Sequence, residues 1–300
     1  MKQSCVIALF LATSLPVFAG DVADSVLQGQ TPAFSEPSNL TLSNFFTEGW
    51  DEAYDKRVTP GGAPDMALLH VTTNFLEREF RTDYYSQENT AGDGTRNIQF
   101  LDGLIAYGLN RRFMVEALTD YEWKDARNGG MDTSGAGGAF VTRVQLVDVP
   151  GASYAFNFRV TTPIDGIKVK QTTLSPALAG WQDLTGIGLK RMAIYYSIQE
   201  DAYAGPAAPG SKHNDLAYDV SLAKTWTDPK TPFFGNFTTF AEFYATTVLD
   251  GSDQTTTINA TPGIRFTLGH GNVLMAGVDL PLSHPHDFDA TYRLTYILNF

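Results

Sequence analysis

The chain has 300 residues and a formal net charge of −12, with 43% apolar but only 18% charged residues, against roughly 25% charged in ordinary soluble domains. At a pI near 4.7 it lacks the basic surface that displaces counterions from phosphates, which excludes nucleic acid as a partner. Aromatics at 12% and 27 glycines point to strands and turns, and the pattern excludes collagen, coiled coil and disorder.

Residues 1–19 read as an export signal. Lys2 supplies the positive start, Val6 to Leu15 the apolar run, and Val17-Phe18-Ala19 a small-x-small site, so cleavage is expected near Ala19, before Gly20. The run is too short to cross a bilayer as a helix, which takes about 20 apolar residues. The single cysteine, Cys5, lies inside it, too early for a lipid-anchor site. The remaining chain is expected to hold together without disulfides.

Residues 20–65 are punctuated by Pro and Gly, with Leu42, Phe45, Phe46 and Trp50 near helical spacing and Ser43 placed to cap a short helix. Two readings stay open for this segment: a plug or periplasmic rim element, or a tether with one hydrophobic cluster.

From residue 66 to 300 the chain alternates. Phe113, Val115, Ala117, Thr119, Tyr121 and Trp123 form one row, and Arg112, Glu116, Asp120, Glu122 and Lys124 the other. Tyr154, Phe156, Phe158 and Val160 oppose Ser153, Asn157 and Arg159. Leu216, Tyr218, Val220, Leu222 and Trp226 oppose Asp219, Ser221 and Thr225, with Lys224 the one charge among the apolar positions. Ile258, Ala260, Ile264, Phe266 and Leu268 oppose Asn259, Thr261 and Arg265, and Leu274 to Leu280 oppose Asp279. Strands of 9–11 residues with one greasy and one wet face are the signature of a membrane barrel, in which every backbone group pairs within a closed sheet. Tight links at 109–111, 148–151, 188–192 and 269–272 alternate with longer polar connections at 86–96, 125–138 and 200–214. Counting back from the terminus gives an all-β, antiparallel transmembrane β-barrel of about twelve strands, the first starting near Leu68. Trp181 to Gln199 supplies one hairpin of that count. The last row, Tyr292, Leu294, Tyr296, Leu298 and Phe300, resembles the sorting strand of bacterial outer-membrane barrels. It predicts an outer-membrane location, with lipid and the barrel-assembly machinery as partners.

The wet faces carry the candidate functional residues. Arg112, Glu116, Asp120, Arg143, Arg159, Glu242, Arg265, Asp279 and Arg293 are expected to line the lumen, where fixed opposite charges create a field that filters polar solutes. The alternative is that they pair with one another and fill the interior.

Enzyme chemistry is not expected. Ser283 and His284 are adjacent, and neighbours on an extended chain point to opposite faces, whereas a Ser–His pair needs mutual contact and a third group such as Asp287 to orient the base. His284 and His286 lack further metal ligands, and Gly135-Ala136-Gly137-Gly138 lacks the following Lys-Ser/Thr of a phosphate loop. His70, His213 and His270 read as ordinary polar positions. Neither a cofactor nor a metal is predicted.

The stretch Ala260-Thr261-Pro262-Gly263-Ile264-Arg265-Phe266, followed by Asn272 and Ala276 to Leu282, resembles the outer-membrane channel family associated with meta-pathway phenol degradation. Gly180-Trp181-Gln182-Asp183-Leu184 is similar to its Gly-x-x-Asp stretch, and Thr47 to Tyr84 is similar to a related subgroup. The resemblance implies an outer-membrane barrel with a channel role for small solutes, aromatic or hydrophobic compounds among them, and assigns no catalytic residue. A structural or adhesive barrel with a filled lumen and a lipid-modifying barrel enzyme are the alternatives.

Overall fold

The computed structural model describes residues 38–55, 61–88, 97–125, 131–162, 172–204, 214–250, 255–269, 271–284, 286 and 288–300. The expected export signal, His213, His270 and Asp287 lie outside these, as do the side chains of Glu122, Trp123 and Lys124.

Twelve antiparallel strands close into a barrel in sequence order, with the last pairing with the first. They are β1 (Arg78–Glu88), β2 (Asn97–Gly108), β3 (Phe113–Asp125), β4 (Met131–Val149), β5 (Ala152–Thr162), β6 (Thr172–Asp183), β7 (Met192–Ala204), β8 (Asp215–Thr225), β9 (Gly235–Val248), β10 (Thr256–Gly269), β11 (Asn272–Pro281) and β12 (Ala290–Asn299). Closure runs through Glu79 opposite Asn299 to Glu88 opposite Ala290, so no strand edge is left unpaired.

The outer wall is apolar. Ile105, Phe140, Phe156, Leu178, Ile198, Leu222, Phe243, Ile264 and Leu294 are exposed, while their sequence neighbours Ala106, Ala139, Asn157, Ala177, Ser197, Ser221, Glu242, Arg265 and Thr295 are buried. An apolar belt around a closed wall is far beyond the patch a water-soluble monomer tolerates, and it matches the lipid-facing band of a membrane barrel. The period-two faces expected on β5, β8, β10 and β12 are the faces observed.

Local chemistry sets the tight links. Between β2 and β3, Asn110 Oδ1 accepts the backbone N–H groups of Arg112 at 2.8 Å and Phe113 at 2.7 Å. Between β4 and β5, Pro150 precedes Gly151, whose φ of +83° is open to glycine at little cost. A hairpin joins β6 to β7 through a short 3-10 turn at Thr185–Ile187, but its first strand, Thr172–Asp183, lies mostly before the span from Trp181 to Gln199 expected to hold both strands.

The structure also corrects two expectations ahead of the first strand. No helix forms around Ser43; residues 43–47 make turns, and Thr41 N–H and its hydroxyl bond to Asn44 Oδ1 instead. The first strand begins at Arg78, not near Leu68. Residues 61–77 run inside the barrel, because Leu68, Val71 and Phe75 find apolar partners there in Trp181, Tyr195, Ala223 and Phe240. A second apolar cluster joins Ala67 to Val273, Met275 and Ile297. The lumen rows of β6–β9 and of β11–β12 are therefore apolar where this inserted segment meets them.

Candidate functional site

The inserted segment is held by its backbone as well as by its apolar contacts. Its strand-free N–H and C=O groups need partners once buried, and the barrel's inward charges supply them. Glu242 on β9 is fully buried and accepts N–H bonds from Leu69 at 3.2 Å and from His70 and Val71 at 3.3 Å. Arg265 on β10 donates through Nη1 to the carbonyls of Met66 and Ala67, both at 2.7 Å. Arg143 on β4 donates to the Phe75 carbonyl at 2.5 Å, and to Asn157 Oδ1 at 2.5 Å. Asn157 and Asn74 add Asn157 Nδ2 to the Thr73 carbonyl at 3.3 Å and Asn74 Nδ2 to the Ser153 carbonyl at 3.0 Å, and Ser197 Oγ accepts the Thr72 N–H at 3.2 Å.

His70 is the polar centre of the segment and not the ordinary polar position expected. Its ring stacks on Tyr244 with centroids 4.0 Å apart, and Nε2 lies 2.8 Å from Asp279 Oδ1. A carboxylate accepts at this distance, so the contact places a proton on Nε2. Asp279 also accepts from Thr261 Oγ1 at 2.7 Å and Arg293 Nε at 2.6 Å, and the Arg293 guanidinium lies 4.4 Å from the Tyr85 ring centroid.

Beyond the segment, toward the strand ends that carry the longer connections, lies a cavity of about 370 Å³. Leu68 to Thr73 form one side, and Arg81, Asp83, Tyr85, Asp102, Glu116, Arg159, Asp219 and Tyr244 are among its walls. Arg81 Nε bonds both oxygens of Asp83, at 3.0 and 2.8 Å. Glu116 faces Arg143 Nη2 at 3.5 Å, Arg159 Nε donates to Thr161 Oγ1 at 3.0 Å, and Tyr85 donates its hydroxyl proton to Asp102 Oδ2.

Residues 38–55 lie at the opposite rim. Leu40 bridges to Asp148 and Ala53 to Asn110. Arg112 donates to the carbonyls of Glu48 at 2.9 Å and of Gln145 and Leu146 at 3.0 Å, and to Asn44 Oδ1 at 2.9 Å, while its guanidinium sits 5.1 Å from the Phe45 ring centroid. Arg111 pairs with Glu52, and the Arg111 guanidinium holds the Glu52 carboxyl below its usual range.

The inward residues expected from sequence thus separate into three groups. Glu116 and Arg159 border the cavity, and Asp120 on β3 stands opposite the cavity's Asp102. Arg143, Glu242, Arg265, Asp279 and Arg293 grip or support the inserted segment, Arg143 also bordering the cavity. Arg112, expected in the lumen, is a clamp on residues 41–48 at the rim, because its donors meet carbonyls there before any open space. Sequence reasoning missed Arg81, Asp83, Tyr85, Asp102 and Tyr244; Phe80, Thr82 and Tyr84 at period two on β1 were the available signal for the first three. Tyr292, Leu294, Tyr296, Leu298 and Phe300 occupy the outer face of β12 and its end, and Phe300 N–H bonds the Arg78 carbonyl at 3.1 Å.

No protein-family model matches the sequence, and no curated protein matches it. Among solved structures, an outer membrane channel from Pseudomonas putida F1 is 12% identical over 78% of this chain and 100% of that one, with a TM-score of 0.56. The NanC porin is 9% identical over 74% of this chain and 98% of its own, at a TM-score of 0.47. The beta domain of the Bordetella autotransporter BrkA is 12% identical over 74% and 99%, at 0.43. The first of these shares the barrel fold.

Proposed function

We propose that this protein is an outer-membrane channel for passive passage of small solutes, restricted by its own inserted segment. The observation that carries the reading is the cavity of about 370 Å³ bounded by Leu68 to Thr73 inside a closed barrel with an apolar outer wall. The cavity lies on the side of the inserted segment toward the long connections, which is the outer face by the usual topology of such barrels. Onward passage requires the segment to yield, and its attachment by side-chain hydrogen bonds and apolar contacts, without strand pairing, supports a segment that can. Membrane lipid around the belt and the assembly machinery at β12 are the partners of this reading. Aromatic solutes, which the family resemblance implies, would meet Tyr85 and Tyr244 on the cavity wall, each with one ring face already covered, by Arg293 and His70 respectively.

Planar-bilayer recording tests the reading. Refolded protein is expected to give small, fluctuating steps, and Glu242→Ala larger and longer ones. Absence of current from both would overturn the channel. A structural barrel with a filled lumen is the second reading, favoured by the packing of Phe75 against Trp181 and Tyr195 at 6.2 and 6.3 Å.

A further inference from the structure

We infer that the path through this barrel selects small cations over anions, and that Asp102 and Asp219 set the preference. The inference deepens the channel reading and rests on it. Its grounds are the inventory and placement of charge on the cavity wall.

Six carboxylates line the cavity against three guanidinium groups. The guanidinium groups are engaged: Arg81 with Asp83, Arg143 with Glu116 and the Phe75 carbonyl, Arg159 with Thr161. Asp102 and Asp219 accept hydrogen bonds from hydroxyls and not from guanidinium groups. Asp102 Oδ2 accepts from Tyr85, while its Oδ1 is buried with no hydrogen-bond partner. Asp219 Oδ2 accepts from Ser197 Oγ at 2.7 Å.

Register concentrates the negative charge on two walls. On one, Asp83 stands directly opposite Asp102, and Asp102 directly opposite Asp120, which places three carboxylates on neighbouring strands at one level. On the other, Asp219 lies on β8, half the ring away from β2. Two steps further along the same face, Asp201 stands directly opposite Asp215 and leads toward the long-connection end. Like charges directly opposite on a sheet repel. Arg81 offsets Asp83 in the first row, and the remaining carboxylates draw mobile cations into a wet tube whose low-dielectric walls focus the field on the permeating ion. Anions entering the same tube meet Arg81 and Arg143 already paired with carboxylates, and Arg159 beside Asp102.

The test is the reversal potential across a bilayer with a tenfold KCl gradient. Wild type is expected to show a potassium-over-chloride permeability ratio on the order of 10. The double variant Asp102→Asn/Asp219→Asn keeps acceptors for Tyr85 and Ser197, and is expected to lower that ratio several-fold at similar conductance. Arg159→Ala is expected to raise it. Heat-modifiable migration on gels establishes that each variant is a folded barrel. A wild-type preference for chloride, or an unchanged ratio in a folded double variant, would overturn the inference while leaving the channel standing. Failure of wild type and Glu242→Ala to conduct at all would remove both.

Discussion

His70 bonds Asp279 inside the barrel, with Nε2 2.8 Å from Oδ1. That contact, with the three N–H bonds accepted by Glu242 next to it, joins a strand-free segment to β9 and β11 of the wall. Each bond to a charged acceptor is worth about 1.5–3 kcal/mol, and orphaned buried donors cost about 1–3 kcal/mol each.

Glu242→Ala therefore removes the anchor and leaves three buried N–H groups without a partner. Docking of residues 61–77 is expected to weaken by about 3 kcal/mol or more, while the barrel wall stays closed. Amide exchange at Leu69, His70 and Val71 reads this directly. Unchanged protection in the variant would show that the apolar contacts of Phe75 and Leu68 hold the segment unaided.

The rim depends on a different grip. Arg112→Met keeps the stem over Phe45 but loses the donors to Glu48, Gln145, Leu146 and Asn44. Release of residues 38–55 is expected, seen as faster protease cleavage there, with ion selectivity unaltered because Arg112 borders no open path. Gly108→Ala acts on the same rim, since a Cβ there would stand 2.5 Å from Tyr54 Cδ2. Its expected effect is displacement of the Tyr54 ring and loss of the bond from its hydroxyl to the Leu76 carbonyl, now 3.0 Å.

The wall was legible in the sequence, and its occupant was not. Phe156 and Asn157 alternate because lipid and lumen demand opposite chemistry, and that contrast is local. Ala63 to Leu76 has the apolar content of a strand, and the contacts that make it an insert are far away in the chain, as from Leu69 to Glu242. The local signs against a strand were Gly61-Gly62, Pro64 and the run Glu77-Arg78-Glu79. For the same reason the inward direction of Arg112, Arg265 and Glu242 was readable, whereas their use on backbone groups of residues 41–77 depended on knowing where that backbone goes. Trp181, Tyr195 and Met275 face inward against the polar-lumen rule because the insert gives them an apolar neighbour.

Acid should loosen the rim through Glu52. Its folded-state carboxyl is held below the ordinary value of 4.5 by Arg111, so the folded form binds fewer protons than the unfolded one in that window. The stabilisation is complete above about pH 4.5 and is lost as pH falls through the lower folded value. Proteolysis of residues 38–55 by an acid-active protease is expected to quicken below that point, and Glu52→Gln to behave at neutral pH as wild type does in acid. A flat pH profile in wild type would assign the rim's attachment to Arg112 alone.

The orientation of the wall makes the strictest demand. Phe156 is exposed at the middle of β5, and Asn157 beside it points inward to Arg143. Phe156→Arg places a guanidinium in the hydrocarbon and is expected to cost about 2–4 kcal/mol of insertion near the midplane. In a folding titration into lipid vesicles the variant should fold incompletely under conditions where wild type is fully inserted. Phe156→Leu, which keeps an apolar contact with lipid, should insert like wild type. If the arginine variant inserted equally well, the apolar row would have to be a packed interior, and the wet row would then face bulk solvent.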